Sequence, residues 1–188
     1  VLYGTMDADK ISRNVAECIY TGIIHDTGVF KYSCTSKKTM EIAGEMMEKG
    51  IDYSDIIDNT FYKKTYVQNQ ILGRALLESV LFYDGKCIFT TVTTDEMEFY
   101  GVTGRELGGI VEQLRLTDGV EVAIFLYQTG EEEYKVSLRS KKKIDVAAIA
   151  TQFGGGGHVR AAGYTAKGSV YQIINSIGEL IEKQYNAM

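Results

Sequence analysis

A chain of 188 residues, 45% hydrophobic and 24% charged, carries enough apolar side chain for one generous domain or two small ones built around real cores. Its net charge of −5 argues against coating long nucleic acid through a general positive field, but leaves room for a local basic pocket. No stretch approaches the ~20 apolar residues of a membrane span. The opening Val1-Leu2-Tyr3-Gly4 lacks the basic and apolar regions of a signal peptide. A cytoplasmic protein with no membrane partner is therefore expected, and, without an initiator Met, a piece of a longer chain. Cys18, Cys34 and Cys87 form no CxxC pair and suggest neither a disulfide framework nor a zinc cluster; all three are expected to be buried, reduced thiols.

In chain order, Ala8 to Gly22 predicts a helix from the spacing of Ile11, Val15, Cys18 and Ile19, with Asp7 or Asp9 as its cap. Asp26 follows in a glycine-flanked turn, a plausible divalent-metal ligand or simply a capping residue. Thr35-Ser36 opens a second helix that ends at Gly50, Ser54 can cap a third, and Tyr62 to Phe82 continues helical periodicity. At Asp84-Gly85 the character changes to the β-rich Cys87 to Val92. A helix from about Gly104 to Leu116 precedes two alternating runs, Val120 to Gln128 and Tyr134 to Arg139, which make a hairpin about Gly130. Its second strand should point Val136 and Leu138 to one face, Ser137 and Arg139 to the other. An amphipathic helix from Asp145 to Phe153, a glycine run and a last helix from Val170 to Tyr185 complete the chain.

Gly154, Gly155, Gly156 and Gly157 remove every Cβ from one stretch of backbone, so several N–H groups can turn toward one anion. The residues after them, His158 to Gly163, are expected to start a helix whose N-terminus, with His158 and Arg160, grips a phosphate. Arg139, with Ser140 next to it, could fork onto a phosphate or a base edge. Lys141-Lys142-Lys143 and Glu131-Glu132-Glu133 read as solvated charge runs.

The string from Phe153 to Gly163, preceded by Ser137-Leu138-Arg139-Ser140 and Ile144 to Ala150, resembles the DHH-associated C-terminal domain of the DHH phosphoesterases. Glu17 to Tyr32 looks like the last block of the DHH catalytic domain, and the likeness is nearest to bacterial nanoRNases, which degrade very short oligoribonucleotides and dephosphorylate 3'-phosphoadenosine 5'-phosphate. The resemblance implies an α/β fold: a mostly helical remnant of the catalytic domain over 1–62, a connecting helix over 63–83, and a smaller mixed α/β domain over 84–188. It also implies that Asp26 is a ligand to one of two manganese ions, that Arg139 and the loop Gly154 to Gly157 bind substrate, and that His158 serves catalysis at the phosphate; Ser140 and Arg160, from their places beside Arg139 and His158, are expected to join the substrate-binding set. The family's DxD and Asp-His-His motifs are absent from this sequence, so the chain by itself is expected to be inactive. Cyclic-dinucleotide or polyphosphate cleavage, or a non-catalytic nucleic-acid-binding module, remain alternatives, and a homodimer is compatible with all of them.

Overall fold

The computed structural model describes residues 10–187 and divides the chain into two compact units, Val1–Lys64 and Thr65–Met188. The first is helical. Helix α1 (Arg13–Thr27) is capped by Ser12, whose hydroxyl accepts from the Val15 N–H, and ends at Gly28 in the left-handed conformation. Asp7 and Asp9, the caps expected from sequence, lie outside the described residues. Its buried stripe is Ala16, Tyr20, Ile24 and Thr27 rather than Val15 and Cys18, both of which are exposed. Helix α2 (Lys37–Glu48) begins with a Ser36/Thr39 capping box, and Gly50 just beyond it takes a φ of 76°. Asp52, not Ser54, caps α3 (Tyr53–Ile57), which runs into a π-helical turn at Asp58–Tyr62. Ala43 and Met46 close the unit's core against α1.

The second unit is a six-stranded mixed sheet with helices on both faces. Helix α4 (Tyr66–Leu77) starts at a Thr65/Gln68 capping box and stops well short of the expected Phe82, because Val80–Phe82 pairs as strand β1 with β2 (Cys87–Val92). Two short helices follow: α5 (Thr94–Tyr100), which periodicity does not reveal, and α6 (Ile110–Leu116), which begins six residues later than expected from Gly104. They form the crossover that a parallel β2–β3 pairing requires, β3 being Val122–Gly130. Strand β4 (Glu133–Ser140) returns antiparallel to β3, which is the hairpin anticipated about Gly130.

The chain then makes α7 (Val146–Gln152), β5 (Gly156–His158), β6 (Ala161–Lys167) and α8 (Val170–Asn186), and the strand order is β1-β2-β3-β4-β6-β5. The helix expected to begin at His158 does not exist. Residues 156–167 form a β-hairpin instead, since Ala161, Ala162 and Gly163 are small enough for β6 to lie between two strands. A Cβ on Gly163 would sit 2.8 Å from the Val136 carbonyl oxygen.

Strand β3 is buried on both faces. Val122, Ile124 and Leu126 join Val136, Leu138, Ile149, Ile177 and Ile181 in the core under α7 and α8, while Ala123 and Phe125 join Ile71, Ile110 and Leu114 under α4 and α6. Of the cysteines only Cys87 is buried, where burial pushes its thiol up to about 12; Cys18 and Cys34 are exposed. Among the described residues no helix is long and apolar enough to cross a membrane.

Candidate phosphate-binding face

Register across the sheet decides which of the candidate side chains can act together. Ala123 pairs with Arg139, Arg139 with Ala161, and Ala161 with His158, one row running from β3 to the edge strand β5. Residues in one row of a pleated sheet project to the same face, and neighbouring strands lie ~4.8 Å apart, so Arg139 and His158 stand roughly 10 Å apart with only the Ala161 methyl between them. The next row on that face is Ser137, Gly163 and Gly156, which places two glycines beside the gap. A cation and an imidazole thus flank a floor without large side chains.

Arg139 is oriented by α6. Its Nε donates to Glu112 Oε1 at 2.5 Å and its Nη1 to the Leu138 carbonyl at 3.0 Å, while the other Glu112 oxygen accepts from Arg115 Nε at 3.0 Å. Glu112 therefore takes the Nε side of the fork, and among the described residues the Nη1/Nη2 end has no carboxylate. Sequence alone does not single out Glu112, because its i,i+3 partner Arg115 makes it look like half of an ordinary surface-helix pair.

The four glycines do not form one loop aimed at an anion. Gly154, at φ 76°, donates to the Thr151 carbonyl, and Gly155 donates to that of Ala150; together they close the C-terminus of α7 in a Schellman arrangement. Two of the four N–H groups are thereby consumed, and the helix end beside them carries the negative rather than the positive end of its dipole. Gly156, Gly157 and His158 are strand β5, at the sheet's edge and exposed. Phe153 anchors the turn by stacking on Tyr164, centroids 4.7 Å apart, and burial raises the Tyr164 phenol well above its ordinary range.

Two further candidate residues make contacts within the fold. Ser140 follows Arg139 in the strand and so points to the opposite face, where it is buried and donates to the Ile144 carbonyl at 2.6 Å. Arg160 lies in the β5–β6 turn, not at a helix N-terminus, and its Nη1 donates to the same Ile144 carbonyl at 2.7 Å. Both hold the connection into α7. That connection is also gripped by Glu121, whose Oε1 accepts from the backbone of Lys142, Lys143 and Ile144.

The DHHA1 domain family matches residues 84–184, more than half of the chain. This chain belongs to the DHHA1 domain family. A Thermus thermophilus protein named bifunctional oligoribonuclease and PAP phosphatase NrnA is 31% identical over 158 residues, covering 84% of this chain and 46% of that protein. The Bacillus subtilis protein of the same name is 27% identical over 154 residues, covering 82% and 48%. The solved structure of an exopolyphosphatase-related protein from Bacteroides fragilis superposes with a TM-score of 0.86 at 28% identity, over 94% of this chain and 52% of that one. The chain thus spans about half the length of the curated relatives it matches. The row carrying Arg139, Ala161 and His158 lies inside the DHHA1 match.

Asp26 lies outside that match, in the last turn of α1 rather than in a turn of its own. Its side chain is exposed, its backbone carbonyl accepts from Cys34 Sγ, and its neighbour His25 packs edge-on against Phe61. Among the described residues no group of three or more His, Cys, Asp or Glu side chains could hold a metal ion. One carboxylate does not fit a two-manganese centre.

Proposed function

We propose that the unit at 65–188 grips the terminal phosphate of a very short oligoribonucleotide, or of 3'-phosphoadenosine 5'-phosphate, for a phosphoesterase. The observation that carries this reading is the single row in which Arg139 and His158 flank Ala161 where the sheet face emerges from beneath α6 toward the β5 edge. Arg139 would take two phosphate oxygens through its Nη1/Nη2 end, and the His158 imidazole would donate to a third. Gly156 and Gly163 in the adjoining row let the phosphate approach the backbone. The relatives named as oligoribonuclease and PAP phosphatase support the substrate class. Manganese dependence and a cytoplasmic location go with this reading, on the strength of the family resemblance. With Asp26 as the single candidate ligand among the described residues, the 188-residue chain binds substrate without hydrolysing it.

The test is an NMR titration of the chain with a 5'-phosphorylated ribodinucleotide, in parallel with a manganese-supplemented hydrolysis assay. Shifts at Gly156, Gly157, His158 and the Arg139 Nε are expected, with no product formed. Silence at His158 and Arg139 overturns the phosphate assignment, and manganese-dependent cleavage overturns the inactivity. The exopolyphosphatase-related neighbour favours polyphosphate as a second reading. Tripolyphosphate displacing the dinucleotide at much lower concentration than a mononucleotide does would support it.

A further inference from the structure

The face that carries Arg139 continues along β4. Residues 135, 137 and 139 alternate with the buried Val136 and Leu138, so Lys135 and Ser137 project to the same side as Arg139. Register sets Lys135 beside Thr165, Ser137 beside Gly163 and Arg139 beside Ala161. The neighbouring strand thus offers a floor of threonine, glycine and alanine, and at the glycine step no side chain rises above the backbone.

The charges along this track are unevenly compensated. Glu133, at its far end, is paired with Lys167 at 3.4 Å. Lys135 is exposed and has no ion pair among the described residues, and Thr165 beside it is exposed too. Four residue steps of strand separate Lys135 from Arg139, roughly 13 Å at ~3.3 Å per step. That spacing is too long for a single phosphate already held by Arg139 and His158, and, being about two nucleotide steps of an extended strand, it suits a terminal phosphate and the second phosphodiester beyond it.

We propose that Lys135, with Thr165, is a second phosphate subsite, so that a short single-stranded oligoribonucleotide lies stretched along β4 and β6 with its terminal phosphate at Arg139. This rests on the phosphate assignment of the Arg139 row and adds to it the direction and length of the bound chain. The Lys135 ammonium contacts a phosphodiester oxygen, the Thr165 hydroxyl donates to the same group, and Ser137 and Gly163 lie under the nucleotide stretch between. A mononucleotide ends before reaching Lys135.

Fluorescence anisotropy on the 188-residue chain, with a labelled adenosine monophosphate and 5'-phosphorylated ribo-di- and trinucleotides, tests the proposal. In the wild-type chain affinity rises from mono- to trinucleotide. Lys135→Ala removes that rise, weakening the trinucleotide several-fold, and Lys135→Arg restores most of it. The log–log salt dependence for the trinucleotide becomes shallower by about 0.7 in Lys135→Ala, the expectation for one lost contact to a single strand. An equal loss for mononucleotide and trinucleotide overturns the proposal, because Lys135 would then serve the Arg139 phosphate. Persistence of the full length dependence in Lys135→Ala overturns it as well. Failure of the wild-type chain to bind even the mononucleotide refutes instead the underlying assignment of the Arg139 row.

Discussion

At the scale of single residues, three of the four adjacent glycines have structural reasons to be glycine and the fourth, Gly156, has none in the fold itself. Gly154 holds φ 76° at the end of α7, where any other residue pays the left-handed penalty of ~1–2 kcal/mol. Gly155 leaves no room for a Cβ against the Gly163 carbonyl oxygen and the Tyr164 side chain, and Gly157 combines φ 145° with a Cβ position 2.5 Å from the Ala161 carbonyl oxygen. At Gly156 a Cβ would meet open space. Denaturant unfolding of the four alanine variants should therefore rank them: Gly156→Ala within ~0.5 kcal/mol of wild type, Gly154→Ala lower by ~1 kcal/mol, and Gly155→Ala and Gly157→Ala lower by about 2 kcal/mol or more. A flexible phosphate loop of interchangeable glycines would give four similar, small values.

At the scale of elements, α5 has seven residues and depends on its ends. Glu96 takes part in a reciprocal cap with Thr93 and reaches Arg74 of α4. Burial pushes its carboxyl up, but the Thr93 N–H and hydroxyl and the Arg74 guanidinium outweigh burial and hold it below the ordinary carboxylate range. A depressed folded value means stability that is fully present above the unfolded value near 4.5 and lost as pH falls through the folded one. Glu96→Gln should thus cost ~1 kcal/mol at neutral pH, and the gap from wild type should narrow as pH falls below the unfolded value near 4.5 in thermal melts taken across pH. A gap that stays constant down to about pH 3 would show that the charge on Glu96 contributes nothing. This helix also shows where periodicity fails, since seven residues offer two turns at most, whereas the 17-residue α8 and the β3–β4 hairpin are legible from their spacing alone. Val80–Phe82 reads as helix in the sequence because three apolar residues fit either period, and pairing with β2 decides the matter. Likewise the small residues after His158 suit a close-packed helix or a close-packed strand, and only the row between β4 and β5 discriminates. Of the candidate site, Arg139 and His158 are legible as residue types. That they share a face, and that Ser140 and Arg160 do not join them, requires the register.

At the scale of the molecule, the second unit is complete in itself. Among the described residues, every member of the two cores that sandwich the sheet comes from after Lys64, and these cores cover the apolar faces of β2, β3, β4 and β6. Helix α4, expected from sequence to be a connector over 63–83, contributes Ile71 and Ala75 to one of these cores. A polypeptide of residues 65–188 should accordingly fold in one cooperative transition, with amide spectra superposable on those of the same residues in the full chain. A piece beginning at Asp84 would lack α4 and β1, uncover Ile88 and Phe89, and be expected to aggregate or melt early.

Strand β3 is paired on both sides and buried on both faces, whereas β5 is three residues at the rim with a single partner. Hydrogen exchange should therefore span the widest range this unit can show, with β3 amides exchanging only through global opening and those of Gly156 to His158 through local fraying. A ligand seated beside His158 would slow the fastest-exchanging strand and leave the slowest untouched, so occupancy can be read directly as a change in the spread of protection.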